Sequence, residues 1–328
     1  MLPQFPEATA NDYVEVDERI EALSQKWLTP NMGSITVGLG KLRARVDGHF
    51  EAQKAAALKE KATFLSEMKD IYKYPYGHCD VIRNLVWDNI HISLKGRGAY
   101  ARYFTALKPF LAKGGVFRKI WGDLTYGPYF QSAMQLGSYY VDVSNDTVVI
   151  SKPKLDIKYL KDASLRNVDG FQHYYDVAQS YFKWDVYPNI YLPELKYLYP
   201  AVAVHQNTGA LLLCGVAKPL FYKNLNTAGA LAEQFLSNSP YSAKRLSADH
   251  EARIFAFREK LLPKIFSAAT RKNPTFGQDL TVAQDTHTLR NWLLAGHSLD
   301  SCRQVAIRIE AVANQISSLL RPFSLGQL

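Results

Sequence analysis

Apolar residues recur at helical spacing through most of the first third of the chain. Residues 12–28 are predicted as a helix, with Val16, Ile20, Leu23 and Trp27 on one side. Pro30 follows that helix, and residues 35–72 read as a long helix or two joined ones. Alternating Lys and Glu around the alanines of "EAQKAAALKEKA" support the second segment, as do Leu58, Phe64, Leu65, Met68 and Ile71 at helical spacing. Gly38, Gly40 and Gly48 weaken its first half, and "YKYPYG" ends it. Residues 79–93 carry the clearest stripe, Val81, Ile82, Leu85, Val86 and Ile90, and residues 99–112 make a further helix closed by "KGG".

The period then changes. Tyr139, Val141 and Val143 alternate, and Val148 and Ile150 follow Asn145-Asp146, which predicts a strand, a turn and a strand. "YPAVAVH" and "ALLLCGVAKPLFY" read as two more strands. From Ala228 the pattern is helical again, over 228–237, 247–268 and 281–319, the last with Leu289, Trp292, Leu293, Val305, Ile309, Val312, Ile316 and Leu319 and a break at Gly296. Segregated elements predict an α+β fold with N-terminal helices, a central, mostly antiparallel sheet and a C-terminal helical region. The corresponding domain division is 1–73, 74–225 and 226–328, or one continuous domain, since no Pro/Gly/Ser-rich linker cuts the chain.

At 328 residues, 47% hydrophobic and 21% charged, the composition is that of an ordinary globular protein with a sizeable core. The longest apolar stretch, "YPAVAVHQNTGALLLCGVA", is interrupted by His205, Gln206, Asn207 and Thr208, so no membrane span is expected. The start lacks the basic and apolar regions of a secretory signal, which predicts a cytoplasmic protein or one exported without a classical signal. Three widely spaced cysteines, Cys79, Cys214 and Cys302, form neither a disulfide framework nor a zinc pattern.

The net charge of +9 is uneven. Glu7, Asp12, Glu15, Asp17, Glu18 and Glu21 make the start acidic, whereas no acidic residue lies between Asp88 and Asp123. That interval holds Lys95, Arg97, Arg102, Lys108, Lys113, Arg118 and Lys119. Such a block is either a solvated face or a contact for nucleic acid or an acidic protein partner, through Arg97, Arg102, Arg118 and Lys119. The aromatic-rich segment 171–199, with Tyr181 and Trp184, would add stacking platforms if it is not core.

The most pointed stretch is "YPYGHCDVIRNLVWDNI", residues 74–90. Cys79 falls after a turn and in the first turn of a predicted helix, where unpaired N–H groups and the helix dipole favour a thiolate. It is either a nucleophile or a small buried side chain. Gly77 would let a substrate approach, and amides of the turn would face an oxyanion. A Gly-x-Cys helix start followed by strands with polar partners resembles the papain-like and transglutaminase-like thiol enzymes. There the cysteine opens a helix packed on an antiparallel sheet, with a histidine on one strand and an Asp or Asn on the next. "GPYFQSAMQLGSYYVDVSNDT" is similar in rhythm to that strand pair, with Asp142 or Asp146 in the acidic place and Tyr129, not histidine, before the first strand.

The resemblance implies acyl or amide hydrolysis or transfer by Cys79, with Asp142 orienting a base and no cofactor. Triads are defined by geometry rather than order, so His205 or His173 is the expected imidazole. Two metal readings compete. Asp142 and Asp146 of "VDVSND" have the spacing of a Mg²⁺ or Mn²⁺ site in a sugar transferase. "HCD" at 78–80 matches part of a non-haem iron triad completed by His205. No phosphate-binding glycine loop accompanies them, because "GLGKLR" lacks the Walker spacing.

Overall fold

Asp17 stops the extended N-terminal segment: its carboxylate accepts from the Ile20 amide at 2.7 Å and caps helix α1, Glu18–Leu23. The computed structural model describes residues 4, 6–60, 71–96, 98–124, 129–214, 218–272, 291 and 299–320. They fall into two compact units, Asn11–Asn167 and Met1–Ala10 together with Val168–Leu328. The boundaries expected at 73/74 and 225/226 lie inside these units.

In the Asn11–Asn167 unit, α1 continues through a π turn, Ser24–Leu28, into α2, Met32–Glu60. Helix α3, Cys79–Leu94, and the short α4, Leu107–Ala112, come next among the described residues. Five strands follow: β1 Phe117–Leu124, β2 Phe130–Leu136, β3 Tyr139–Asp142, β4 Asp156–Tyr159 and β5 Leu165–Asn167. Every pairing is antiparallel, in the order β4-β3-β2-β1-β5. Buried Ile35, Leu39, Leu42, Val46 and Phe50 of α2 and Ile82, Val86 and Ile90 of α3 pack on Met134, Leu136, Tyr139, Val141 and Val143 of one sheet face. Ile120, Ala133 and Tyr140 face the other way, against Leu160, Ala163 and Leu165. Gly38, which weakens α2 by propensity, is required by packing: a Cβ there would meet the Tyr103 Cβ at 2.6 Å.

Arg43 is the pivot of this unit, with only 1% of its surface exposed. Its guanidinium donates twice to Asp146, at 2.7 and 3.0 Å, once to the Val143 carbonyl at 2.8 Å, and through Nε to Asp47 at 2.8 Å. Tyr74 and Lys154 complete the shell of Asp47. A buried guanidinium is tolerable only with its donors satisfied. Helix α2 and the turn after β3 are therefore locked together.

In the second unit, α5 Phe171–Phe182 leads into a three-stranded antiparallel sheet, β6 Trp184–Pro188, β7 Ala201–His205 and β8 Leu211–Leu213. Helices α6 Lys218–Asn226, α7 Ala230–Asn238, α8 Ala248–Lys260, α9 Leu262–Lys272 and α10 Leu299–Leu320 follow. Val202, Val204, Leu211 and Leu213 of the sheet share a core with Leu225, Ile254, Ile265 and Ile316.

The α+β class, the N-terminal helices, the antiparallel pairing and the C-terminal helices are as the sequence predicts, but the strands form two sheets separated by α5. The hairpin turn expected at Asn145-Asp146 lies instead at Gly137-Ser138, where Gly137 takes φ +57° between β2 and β3. Residues 148–150 are not a strand, because Asp146 is drawn inward to Arg43 and the chain turns there. Residues 12–17 are extended rather than helical, since the cap at Asp17 sets the helix start and Gln135 holds the Val14 backbone through N and O, both at 2.8 Å. The expectations on Phe64, Leu65, Met68, Leu289, Trp292, Leu293 and Gly296 lie outside the described residues, as do those on the side chains of Leu58, Ile71, Cys302, Val305 and Ile309.

Arg43→Ala leaves Asp146 buried without its partner and is expected to cost about 3–5 kcal/mol of stability, with a smaller loss for Arg43→Lys, which keeps the charge but not the fork. Urea unfolding of the three proteins measures both.

Candidate active site

The approach to Cys79 is a tight turn. The Tyr76 amide donates to the Lys73 carbonyl at 2.7 Å and the His78 amide to the Pro75 carbonyl at 3.1 Å. Gly77 adopts φ +73°, a conformation that glycine takes without strain, and donates to the Thr147 carbonyl at 2.9 Å. These three amides of the turn, expected at an oxyanion, are thus engaged in holding it. His78 is the residue before α3; its Nδ1 lies 2.9 Å from the Tyr76 carbonyl and its ring stands edge-on to Phe50 and Tyr74.

Cys79 is the first residue of α3 and a half-buried thiol. Two residues before it, a Cβ on Gly77 would meet nothing within 4 Å among the described residues. One turn along, Arg83 is 6% exposed. It donates to the Ile120 carbonyl at 3.0 Å and to the Asn84 side chain at 3.2 Å, while its buried Nε has no hydrogen-bond partner among the described residues. Burial lowers the guanidinium's proton affinity, and the charges of Cys79 and Asp80 act against that.

Asp142 is 1% exposed at the end of β3. Its carboxyl accepts from the Ser144 amide at 2.7 Å, the Ser144 hydroxyl at 2.9 Å and the Gln131 amide at 2.6 Å. On the strand beside Asp142, the donor to it is therefore the amide of Gln131, which also bonds the Tyr140 hydroxyl. Alternation along β3 puts Tyr140 and Asp142 on the face opposite to that packed by α3, with Asp156 directly across from Asp142 on β4. Burial pushes the Asp142 carboxyl up to about 7; the Ser144 bonds and Arg43 oppose the rise and Asp156 adds to it.

The remaining candidates are dispersed. His205 ends β7, with Nδ1 3.1 Å from the Thr208 hydroxyl, and His173 lies half-buried in the first turn of α5; both belong to the second unit, Cys79 and Asp142 to the first. Arg97 lies outside the described residues. Arg102 bonds the Tyr103 hydroxyl at 2.8 Å and lies over its ring. Arg118 and Lys119 are successive on β1 and so point to opposite faces: Lys119 lies over the Trp87 ring, whereas Arg118 pairs across from Gln135. Tyr181 and Trp184 are half-buried and pack on Phe182, at centroid distances of 4.7 and 4.5 Å. Phe171, Tyr174, Tyr175, Tyr191 and Tyr199 of the same segment are core.

No group of three or more His, Cys, Asp or Glu among the described residues is placed to hold a metal ion. The carboxylates of Asp142 and Asp146 are engaged by Gln131, Ser144 and Arg43. A cleft of about 590 Å³, not anticipated from the sequence, is lined by Glu15, Asp17, Glu18 and Glu21 with Lys161 and Ser164. Two of its carboxylates have internal roles, Asp17 as the cap of α1 and Glu21 as acceptor from Ser138 at 2.5 Å. Neither a family model nor a curated protein nor a solved structure matches the chain.

The raised Asp142 carboxyl gives stability a defined pH dependence. Its folded value exceeds the ordinary 3.8, so its contribution is full below about 4 and is lost as pH rises through about 7. Melting temperatures across pH 4–8 should fall in the native chain by the equivalent of a few kcal/mol at most, and this component should be absent in Asp142→Asn, which cannot ionise.

Proposed function

We propose that the chain is a cysteine-dependent acyl or amide hydrolase or transferase with Cys79 as its nucleophile. The observation that supports this reading best is the position of the half-buried Cys79 thiol on the first residue of a 16-residue helix, with the buried guanidinium of Arg83 four residues along the same helix. Both the helix N-terminus and a neighbouring cation favour the thiolate, which is the reactive form.

The reaction balances without a cofactor. The Cys79 sulfur forms a bond to the carbonyl carbon, and the C=O electron pair moves to oxygen. First-turn amides of α3, which the helical ladder does not use, are the donors nearest in sequence to that developing charge. The pair returns, the bond to the leaving amine or alkoxide breaks, and the leaving group takes up the proton given by the thiol. Water, or an acceptor nucleophile in a transferase, then releases the acyl group and restores the thiol. Asp142 does not orient an imidazole in this scheme; its described partners are Gln131 and Ser144. Its part is to brace the strand end.

Iodoacetamide labelling at pH 7, read by peptide mass, tests the reading. Cys79 is expected to react far faster than Cys214, which is 1% exposed, and faster than a free model thiol. Arg83→Met should slow Cys79 by about tenfold, while Arg83→Lys retains most of the rate. Slow labelling of Cys79 in a folded chain, or a rate indifferent to both substitutions, would remove the enzyme assignment.

A further inference from the structure

Two exposed loops of the Asn11–Asn167 unit run side by side at the start of α3. They are joined at two points. The Gly77 amide donates to the Thr147 carbonyl at 2.9 Å, and Tyr74 from one loop and Lys154 from the other both bond Asp47. The longer loop is well formed: the Asn145 side chain donates to the Pro153 carbonyl at 2.9 Å, and the Lys152 amide to the Val149 carbonyl at 3.0 Å. The second of these bonds closes a four-residue turn whose first two positions are Val149 and Ile150.

Those are the wrong residues for a turn in water. Exposed turns favour Gly, Asn, Asp, Ser and Pro, each for a backbone reason that valine and isoleucine do not meet. Here Ile150 is 65% exposed and Val149 41%, while Tyr76 on the adjoining loop is 54% exposed. Single exposed apolar residues are common, but three on paired loops call for a partner. Exposed Lys73, Lys152 and Lys154 accompany them, and residues 72–77 and 147–155 contain no acidic residue. The two carboxylates beneath, Asp47 and Asp146, are neutralised by Arg43 and Lys154.

We propose that this patch docks on an anionic phospholipid bilayer. Val149 and Ile150 enter the boundary between headgroups and acyl chains, Tyr76 sits at headgroup level, and Lys73 and Lys152 face the anionic heads. Exposed apolar side chains on two joined loops suit a surface that deforms around them, and Lys73 and Lys152 supply the charge complement. The association is peripheral, as no helix among the described residues is long and apolar enough to cross a membrane. The proposal uses the loops alone and not the Cys79 thiol, so it fails or stands independently of the enzyme reading.

Flotation of the full chain with vesicles of phosphatidylcholine, with and without 30% phosphatidylserine, tests it at low and high salt. The expected result is binding to the anionic vesicles that weakens with salt. Ile150→Asp should lower partition by about tenfold, and Lys73→Gln with Lys152→Gln by about fivefold per lysine. Ile150→Trp should retain binding and show a blue-shifted emission on anionic vesicles only. All substituted side chains are exposed, so melting temperatures should match that of the native chain. Equal partition into both vesicle types, no binding at millimolar lipid, or unchanged binding in Ile150→Asp would overturn the assignment; an acidic protein partner would give the second of these results.

Discussion

A guanidinium removed from water must be given acceptors, and in the Asn11–Asn167 unit that requirement reaches from the middle of a helix to the proposed reactive thiol. Arg43 on α2 holds Asp146 bidentately, and the turn carrying Asp146 also carries Thr147, whose carbonyl receives the Gly77 amide. Gly77 is two residues before Cys79. The Arg43–Asp146 pair and the Gly77–Thr147 hydrogen bond thus fix the height at which α3 begins relative to the sheet. A hydrophobic side chain at position 43 would fill the space but would leave nothing to draw the turn after β3 inward.

The same turn divides two nearby carboxylates into different electrostatic situations. Asp146 faces a guanidinium, whereas Asp142 has only neutral donors from Gln131 and Ser144, with Asp156 opposite it. Burial is nearly complete for both, so the contrast comes from partners and not from depth. A carboxyl held this way stabilises its strand end most when protonated. It links the sheet edge at β4 to proton concentration. The exposed Val149 and Ile150 lie on the stretch between buried Asp146 and partly buried Leu155, which leaves the core and returns to it.

Much of the fold was legible as periodicity. The Val81–Ile90 stripe predicts helix 79–93, and α3 spans Cys79–Leu94, because a helix packed along one face on a sheet must repeat its apolar residues at that spacing. "YPAVAVH" likewise became β7, but of "ALLLCGVAKPLFY", read as one strand, only Leu211–Leu213 is strand β8, and its end from Lys218 belongs to helix α6. β1, "FRKIWGDL", was less legible: its outward positions are covered in part by the extended segment 11–16, so burial does not alternate along it.

What the sequence by itself determined is local: where α3 starts, that a cysteine occupies its first position, and that Tyr139 and Val141 lie on one face of a strand. Backbone propensity and short-range apolar spacing suffice for these. The tertiary structure alone decided the partners. Asn145-Asp146 resembles a hairpin turn in isolation, yet Arg43, about a hundred positions away, offers Asp146 a charge-assisted pair that the strand following such a hairpin would forfeit. Gln131 rather than an imidazole meets Asp142, and Arg118 and Lys119 separate to opposite faces, because sheet register assigns each side chain its face and neighbours. A linear pattern records which residues want burial; it does not record which distant group satisfies a charge once it is buried.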